Sequence, residues 1–249
     1  MSDQVVELKE VGEGILQLKM QDKVHKNTFT EPMIDGLIQS FETIKNMTQY
    51  KVVIFTGYDS YFSSGGTQEA LFSLSEGKGK FTDAALYSLA LNCPIPVISA
   101  MQGHGIGGGF VMGMFSDFVI LSRESIYTAN FMKYGFTPGM GSTFILPKKL
   151  GLSLSEEMMI SAKTYYGEEL QGRGVPFPVL PRKDVMDYAM NLAKTIAEKP
   201  RESLVVLKDH LIGDLRKELP KAIELEVKMH DLTFHKPEVK ERIEASFGR

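Results

Sequence analysis

Hydrophobic and polar positions alternate over residues 5–9 and again over 14–20, on either side of Gly12-Glu13-Gly14, which predicts a β-hairpin. A polar loop follows at 22–27. Thr30-Glu31-Pro32 then supplies a helix start, and Ile34, Leu37, Ile38, Phe41 and Ile44 recur on one face to about Met47. Residues 51–57 are nearly all apolar, as in a short strand covered on both faces. Similar runs at 95–100 and 117–122 repeat the pattern. Helical periods are predicted at 68–74, 82–91, 142–150, 153–162 and 167–171, with a short helix or turn at 129–134. Residues 75–80 are polar and glycine-rich and read as a mobile loop.

Three prolines in 175–181 suggest a hinge, and beyond it the chain reads as helix: 182–198, 201–211, 217–234 and 237–246. The expected organisation is a strand-and-helix core over 1–181 and a helical region over 182–249, acting as one functional domain. Leu204, Leu207, Leu211, Ile223 and Val227 make apolar faces in that region that need covering, by the core or by another copy of the chain.

Between the apolar run at 95–100 and the helix-forming 110–115 lies Met101-Gln102-Gly103-His104-Gly105-Ile106-Gly107-Gly108-Gly109. Glycines at a strand-to-helix junction leave backbone N–H groups bare, with the positive end of a helix dipole behind them. Such a junction suits a phosphate, an oxygen that turns negative during reaction, or merely close packing of helix on strand. A comparable small-residue turn, Tyr61-Phe62-Ser63-Ser64-Gly65-Gly66-Thr67, sits about forty residues earlier. Two turns of this kind can each give one N–H to the same oxygen, as an enolate or tetrahedral oxyanion requires.

Composition narrows the classes. The 249 residues carry 28 Lys plus Arg against 31 Asp plus Glu, a net charge of -3, with no basic run interleaved with aromatics, which argues against nucleic acid as a partner. The lone Cys93 excludes an internal disulfide and reads as a buried, inert thiol. No apolar run is long enough to cross a bilayer and no secretory pattern opens the sequence, so a cytoplasmic protein is expected. The 5 histidines show no metal-ligand spacing, and no metal is expected.

Ser63-Ser64-Gly65-Gly66-Thr67 and Gly103-His104-Gly105-Ile106-Gly107-Gly108-Gly109 resemble, in order, the two oxyanion motifs of the crotonase (enoyl-CoA hydratase/isomerase) superfamily. Asp117 and the turn Pro138-Gly139-Met140-Gly141 fall at that superfamily's spacing. The resemblance spans about 8–174. It implies an α/β fold, a spiral of ββα units with a C-terminal helical trimerisation region, and assembly as a trimer or hexamer. It also implies a thioester substrate on the pantetheine of coenzyme A or an acyl carrier protein, with no further cofactor. Gly66 and Gly108 would be the two N–H donors, and Lys26 would lie in the loop that touches the pantetheine or nucleotide.

The departures matter as much. Hydratases of this superfamily carry a glutamate where this chain has Val111 and another where it has Phe131. Water addition needs a base and an acid, and these side chains are neither. An enolate also forms without a base when a carboxylate leaves as carbon dioxide, and an apolar wall of Val111 and Phe131 favours that loss of charge. The decarboxylases of polyketide β-branching cassettes share the Ser64-to-Gln68 form of the first motif and lack both glutamates. That likeness implies catalytic roles for Lys80, paired with the departing carboxylate, and His230, orienting it or returning a proton. His104 reads as structural. A Δ-isomerase using His230 or Lys80, and a non-catalytic acyl-binding scaffold, stand as alternatives.

Overall fold

The computed structural model describes residues 4–79, 81–82 and 85–247. In chain order the strands are β1 (Val6–Gly12), β2 (Ile15–Met20), β3 (Val52–Thr56), β4 (Tyr61–Ser63), β5 (Val97–Met101), β6 (His104–Ile106), β7 (Phe118–Ser122), β8 (Ile126–Thr128), β9 (Tyr165–Tyr166) and β10 (Val179–Leu180). The helices are α1 (Glu31–Asn46), α2 (Gln68–Ser75), α3 (Leu89–Asn92), α4 (Gly108–Met114), α5 (Ser142–Leu150), α6 (Leu152–Ser161), α7 (Gly167–Gly172), α8 (Arg182–Ala197), α9 (Arg201–Thr233) and α10 (Pro237–Ser246).

The strands form two sheets, ordered β1-β2-β3-β5-β7-β10 and β4-β6-β8-β9. From β3 to β8 each turn of the chain gives one strand to the first sheet and the next to the second before a helical segment returns it. β3, β5 and β7 therefore stack in parallel in one sheet while β4, β6 and β8 stack in parallel in the other. This is the ββα spiral. Core residues pack mainly within it, and α8 closes the far side of the first sheet with Val185, Ala189, Ala193 and Ile196 against Ile54, Ile98 and Ile120.

Several elements differ from the sequence reading. Of the helix expected at 82–91, residues 83–84 lie outside the described residues; Ala85 adopts a left-handed φ of 46°, and a 3-10 turn over Leu86–Ser88 leads into α3. The proline-rich hinge at 175–181 contains β10, which pairs with β7 at the sheet edge. The two helices expected at 201–211 and 217–234 are one, α9, because Gly213 and Pro220 break the propensity but not the packing of Ile212, Leu219 and Ile223. The short strands β4 and β6 lie inside the two glycine motifs, and β8 and β9 lie in stretches given no element in the sequence reading.

α9 is held by a buried ion pair. Lys208 Nζ, 4% exposed, donates to Asp117 Oδ2 at 2.7 Å and to the carbonyls of Ile95 at 3.0 Å and Ala90 at 3.1 Å. Asp117 Oδ2 also accepts from Val97 N–H at 2.8 Å, so this acid ties the start of β5 to α9.

Candidate active site

The site begins with strand register. β4 and β6 run parallel and adjacent, with Ser63 opposite Gly105. Three residues beyond each partner stand Gly66 and Gly108, so the two glycine turns leave the sheet side by side. A Cβ placed on Gly65, whose φ is +78°, would fall 2.7 Å from the Ile106 carbonyl and 3.2 Å from Gly108 N, so only glycine lets the turns approach this closely. Gly108 is the first residue of α4, where helix geometry offers its N–H no partner.

The first turn is clamped from the 22–28 loop. Asn27, buried with a φ of 52°, donates through Nδ2 to the carbonyls of Phe62 at 2.9 Å and Met20 at 3.1 Å and accepts from Asp22 N–H at 2.8 Å. Ser64 N–H donates to Lys26 O at 3.2 Å and Ser63 Oγ donates to Asn27 O at 2.7 Å. Phe29 N–H donates to Gly65 O at 2.7 Å, which adds a fourth tie. The second motif is pinned by His104, whose Nδ1 accepts from Ile126 N–H at 3.0 Å. Burial, and then the charge of Arg182, hold that imidazole below its ordinary pKa, in keeping with a structural acceptor.

A cleft of about 540 Å³ opens over these turns. Gly66, Gly108, Lys26, Phe131, Tyr134 and Phe136 are among its lining residues. Lys26 Nζ stands 5.5 Å from the centroid of the Tyr61 ring at the cleft wall. Of the expected site residues the structure thus brings together Gly66, Gly108, Lys26 and Phe131. Val111 is not among the lining residues: one turn into α4, it is fully buried in the core, with its N–H bonded to Gly107 O at 3.2 Å. Lys80 lies outside the described residues.

His230 lines a separate, smaller cavity of about 40 Å³, together with Gly79, Phe81 and Phe234. Phe136 stands between this cavity and the cleft, with its ring 5.9 Å from the imidazole. The His230 ring lies 4.7 Å from the Phe81 ring, and its Nε2–H donates to Thr137 O at 2.7 Å. That bond puts the proton of the neutral ring on Nε2 and leaves Nδ1 unprotonated. Burial pushes the His230 pKa down, and the Thr137 carbonyl works in the opposite direction. Sequence reasoning missed Asn27, Phe29, Met140 and Glu226 as supports of the site. Only Asn27 carried a signal, since asparagine tolerates a left-handed backbone in a loop.

The class follows from comparison with known proteins. The enoyl-CoA hydratase/isomerase family model matches residues 10–247, and the chain belongs to that family. It is 62% identical over 248 residues to the bacillaene synthase decarboxylase PksI of Bacillus subtilis (strain 168), covering 100% of both chains. A solved structure from a dehydratase/decarboxylase enzyme couple of polyketide beta-branching matches with a TM-score of 0.98 at 63% identity, over 98% of this chain and 100% of the other. The ECH2 decarboxylase domain of CurF from Lyngbya majuscula matches with a TM-score of 0.94 at 46% identity, again over 98% and 100%. Within its family the chain is a decarboxylase, and the spiral expected from its motifs is the fold it adopts.

Proposed function

We propose that the chain removes the terminal carboxylate of a 3-methylglutaconyl thioester, carried on the phosphopantetheine of an acyl carrier protein, and releases the 3-methylcrotonyl thioester. The observation that carries this reading is the pairing of two glycine turns at one cleft whose wall has Phe131 where a hydratase of this family carries an acid. The C–C bond to the carboxylate breaks, and its electron pair moves through the conjugated chain onto the thioester oxygen. The Gly66 and Gly108 N–H groups hold that oxygen, and carbon dioxide leaves. A proton then adds at the γ carbon.

Lys80 pairs with the carboxylate, and His230 orients it or, once Nδ1 has taken a proton from solvent, passes that proton to the γ carbon. Support for their meeting comes from the neighbours of Lys80 in sequence: Gly79 and Phe81 both line the His230 cavity. Phe131 keeps the wall apolar, which disfavours the charged carboxylate relative to the delocalised product. Val111 backs the α4 segment that presents Gly108, and Lys26 meets the pantetheine arm at the rim.

Incubation with 3-methylglutaconyl-carrier protein and intact-mass detection tests the reading. Loss of carbon dioxide is expected. An unchanged mass with a moved double bond would make it an isomerase, and tight acyl binding without conversion would make it a scaffold. The reading extends to a cytoplasmic trimer or hexamer, supported by the exposed Val206, Leu207 and Leu211 on α9. A monomeric mass in solution would refute the assembly. No described helix is long and apolar enough to cross a membrane.

A further inference from the structure

Glu226 is fully buried on α9 and takes no part in the steps above. Glu226, His230 and Thr233 follow at spacings of four and three and share one helix face. That face grips the turn 137–143 at three points. Glu226 Oε2 accepts from Gly141 N–H at 2.7 Å, and Oε1 accepts from Thr143 N–H at 2.9 Å and Thr143 Oγ1 at 2.6 Å. His230 donates to Thr137 O at 2.7 Å. Thr233 Oγ1 accepts from Thr137 N–H at 3.3 Å.

The turn needs holding. Met140 and Gly141 have φ of 60° and 75°, and a methionine keeps a left-handed backbone only where its surroundings impose it. The Met140 thioether reaches the second oxyanion turn, where a Cβ on Gly108 would fall 2.4 Å from its Sδ. At the other end of the same turn, Gly139 packs on His230, with an added Cβ falling 2.8 Å from Cε1. One turn thus touches both the Gly108 donor and His230.

We propose that Glu226 is a positioning residue for decarboxylation: by locking the 137–143 turn it seats Met140 against Gly108 at one end and sets His230 through the Thr137 carbonyl at the other. Burial pushes the Glu226 pKa up, while the bonds from Thr143 and Gly141 work in the opposite direction; all three groups that meet its carboxylate are donors, and an ionised carboxylate is an acceptor-only partner for them. Glutamine has the same shape but turns an NH₂ toward one of these donors, so the clamp loses a bond and gains a repulsion. The proposal rests on the decarboxylase reading.

The test is Glu226→Gln in the full chain, assayed on 3-methylglutaconyl-carrier protein beside Thr143→Val, which removes only the Oγ1 donor. Glu226→Gln is expected to lower kcat about ten-fold or more with KM within about two-fold, because misplaced groups slow the bound substrate rather than its capture. The ¹⁵N signal of His230 Nε2 should lose its hydrogen-bonded, protected character. Thr143→Val should lower kcat in the same direction, by roughly three-fold. A wild-type kcat in Glu226→Gln, or an unchanged His230 signal in a slowed variant, overturns the proposal. If Glu226→Gln does not fold, Thr143→Val decides, and a wild-type kcat there overturns it too. Failure of the decarboxylase reading is seen separately, as wild-type protein that releases no carbon dioxide.

Discussion

Adding one methyl group to each glycine of the proposed oxyanion hole separates the contributions of its two halves. In Gly108→Ala the new Cβ falls 2.4 Å from Met140 Sδ and 3.0 Å from Phe29 Cε2. Phe29 cannot retreat freely, because its N–H is bonded to Gly65 O at 2.7 Å in the opposite turn. Relief of these contacts by a small turn at the start of α4 is expected to take the Gly108 N–H off its line of aim. Loss of one such donor costs about 3 kcal/mol of transition-state stabilisation, roughly a hundred-fold in kcat. Overpacking adds about 1–3 kcal/mol of destabilisation, a fall of about 2–10 °C in the thermal midpoint for a chain of this length.

Gly66→Ala is the internal control. Its Cβ meets only Leu71 Cδ2, at 3.7 Å, which is ordinary contact, and Gly66 is not among the positive-φ glycines. Its kcat should stay within about three-fold of wild type, since the donor keeps its place. The assay is the time course of carbon dioxide loss by intact mass, with thermal melts beside it. Met140→Ala in the Gly108→Ala background should recover part of the rate by making room. Equal damage from the two glycine changes, or no recovery in the double variant, would refute the assignment of the clash to Met140.

Lys208→Met should destabilise the chain by about 3–5 kcal/mol in denaturant unfolding, because it strands the Asp117 carboxylate beside two buried carbonyls. Adding Asp117→Asn should cost less than the sum of the two changes, and simple additivity would show that the pair is not coupled. Phe131→Glu should slow decarboxylation about ten-fold by placing a charge in the wall that disfavours the substrate carboxylate, whereas Phe131→Leu should stay near wild type. His104 and His230 are both held below the ordinary value of 6.5, so the unfolded chain takes up protons first as pH falls. Their contribution is thus complete above about pH 6.5 and declines below it, and His104→Gln should flatten the acid limb of the melting curve between about pH 5 and pH 7. An unchanged limb would remove His104 as a source.

The parts of the fold legible in the sequence were those whose patterns are local. α1 shows its cap and stripe, α5 and α10 follow their periodicity, and β3, β5 and β7 are apolar runs. β4, β6 and β8 were not legible, being three residues each, too short to show a period, and β4 and β6 run into glycine motifs. β10 was masked by prolines, which are tolerated at a sheet edge. Gly66, Gly108 and Phe131 were legible as motif positions, but the register that joins the two turns is a property of paired strands. Glu226 looked like one acid on a charged helix, since its donors lie more than eighty residues away. Val111 was legible as the site of a missing acid, yet its burial in α4 makes it backing rather than lining.

The hole and the walls of this cleft are specified by different parts of the chain. The proposed hole depends on Ser63 standing opposite Gly105, on close approach at Gly65 and on the Asn27 clamp, all of which fix backbone. The wall depends on side chains that change without moving that backbone. Hydration needs both a hole and two groups that exchange protons with water. Decarboxylation needs the hole as an electron sink and starts with no proton to remove. Exchange of a wall acid for phenylalanine therefore removes one reaction and assists the other: it deletes water activation and at the same time withholds solvation from the carboxylate that must leave. Restoring one acid at Phe131 would not restore hydration, because the partner position holds Val111, a side chain that exchanges no proton with water.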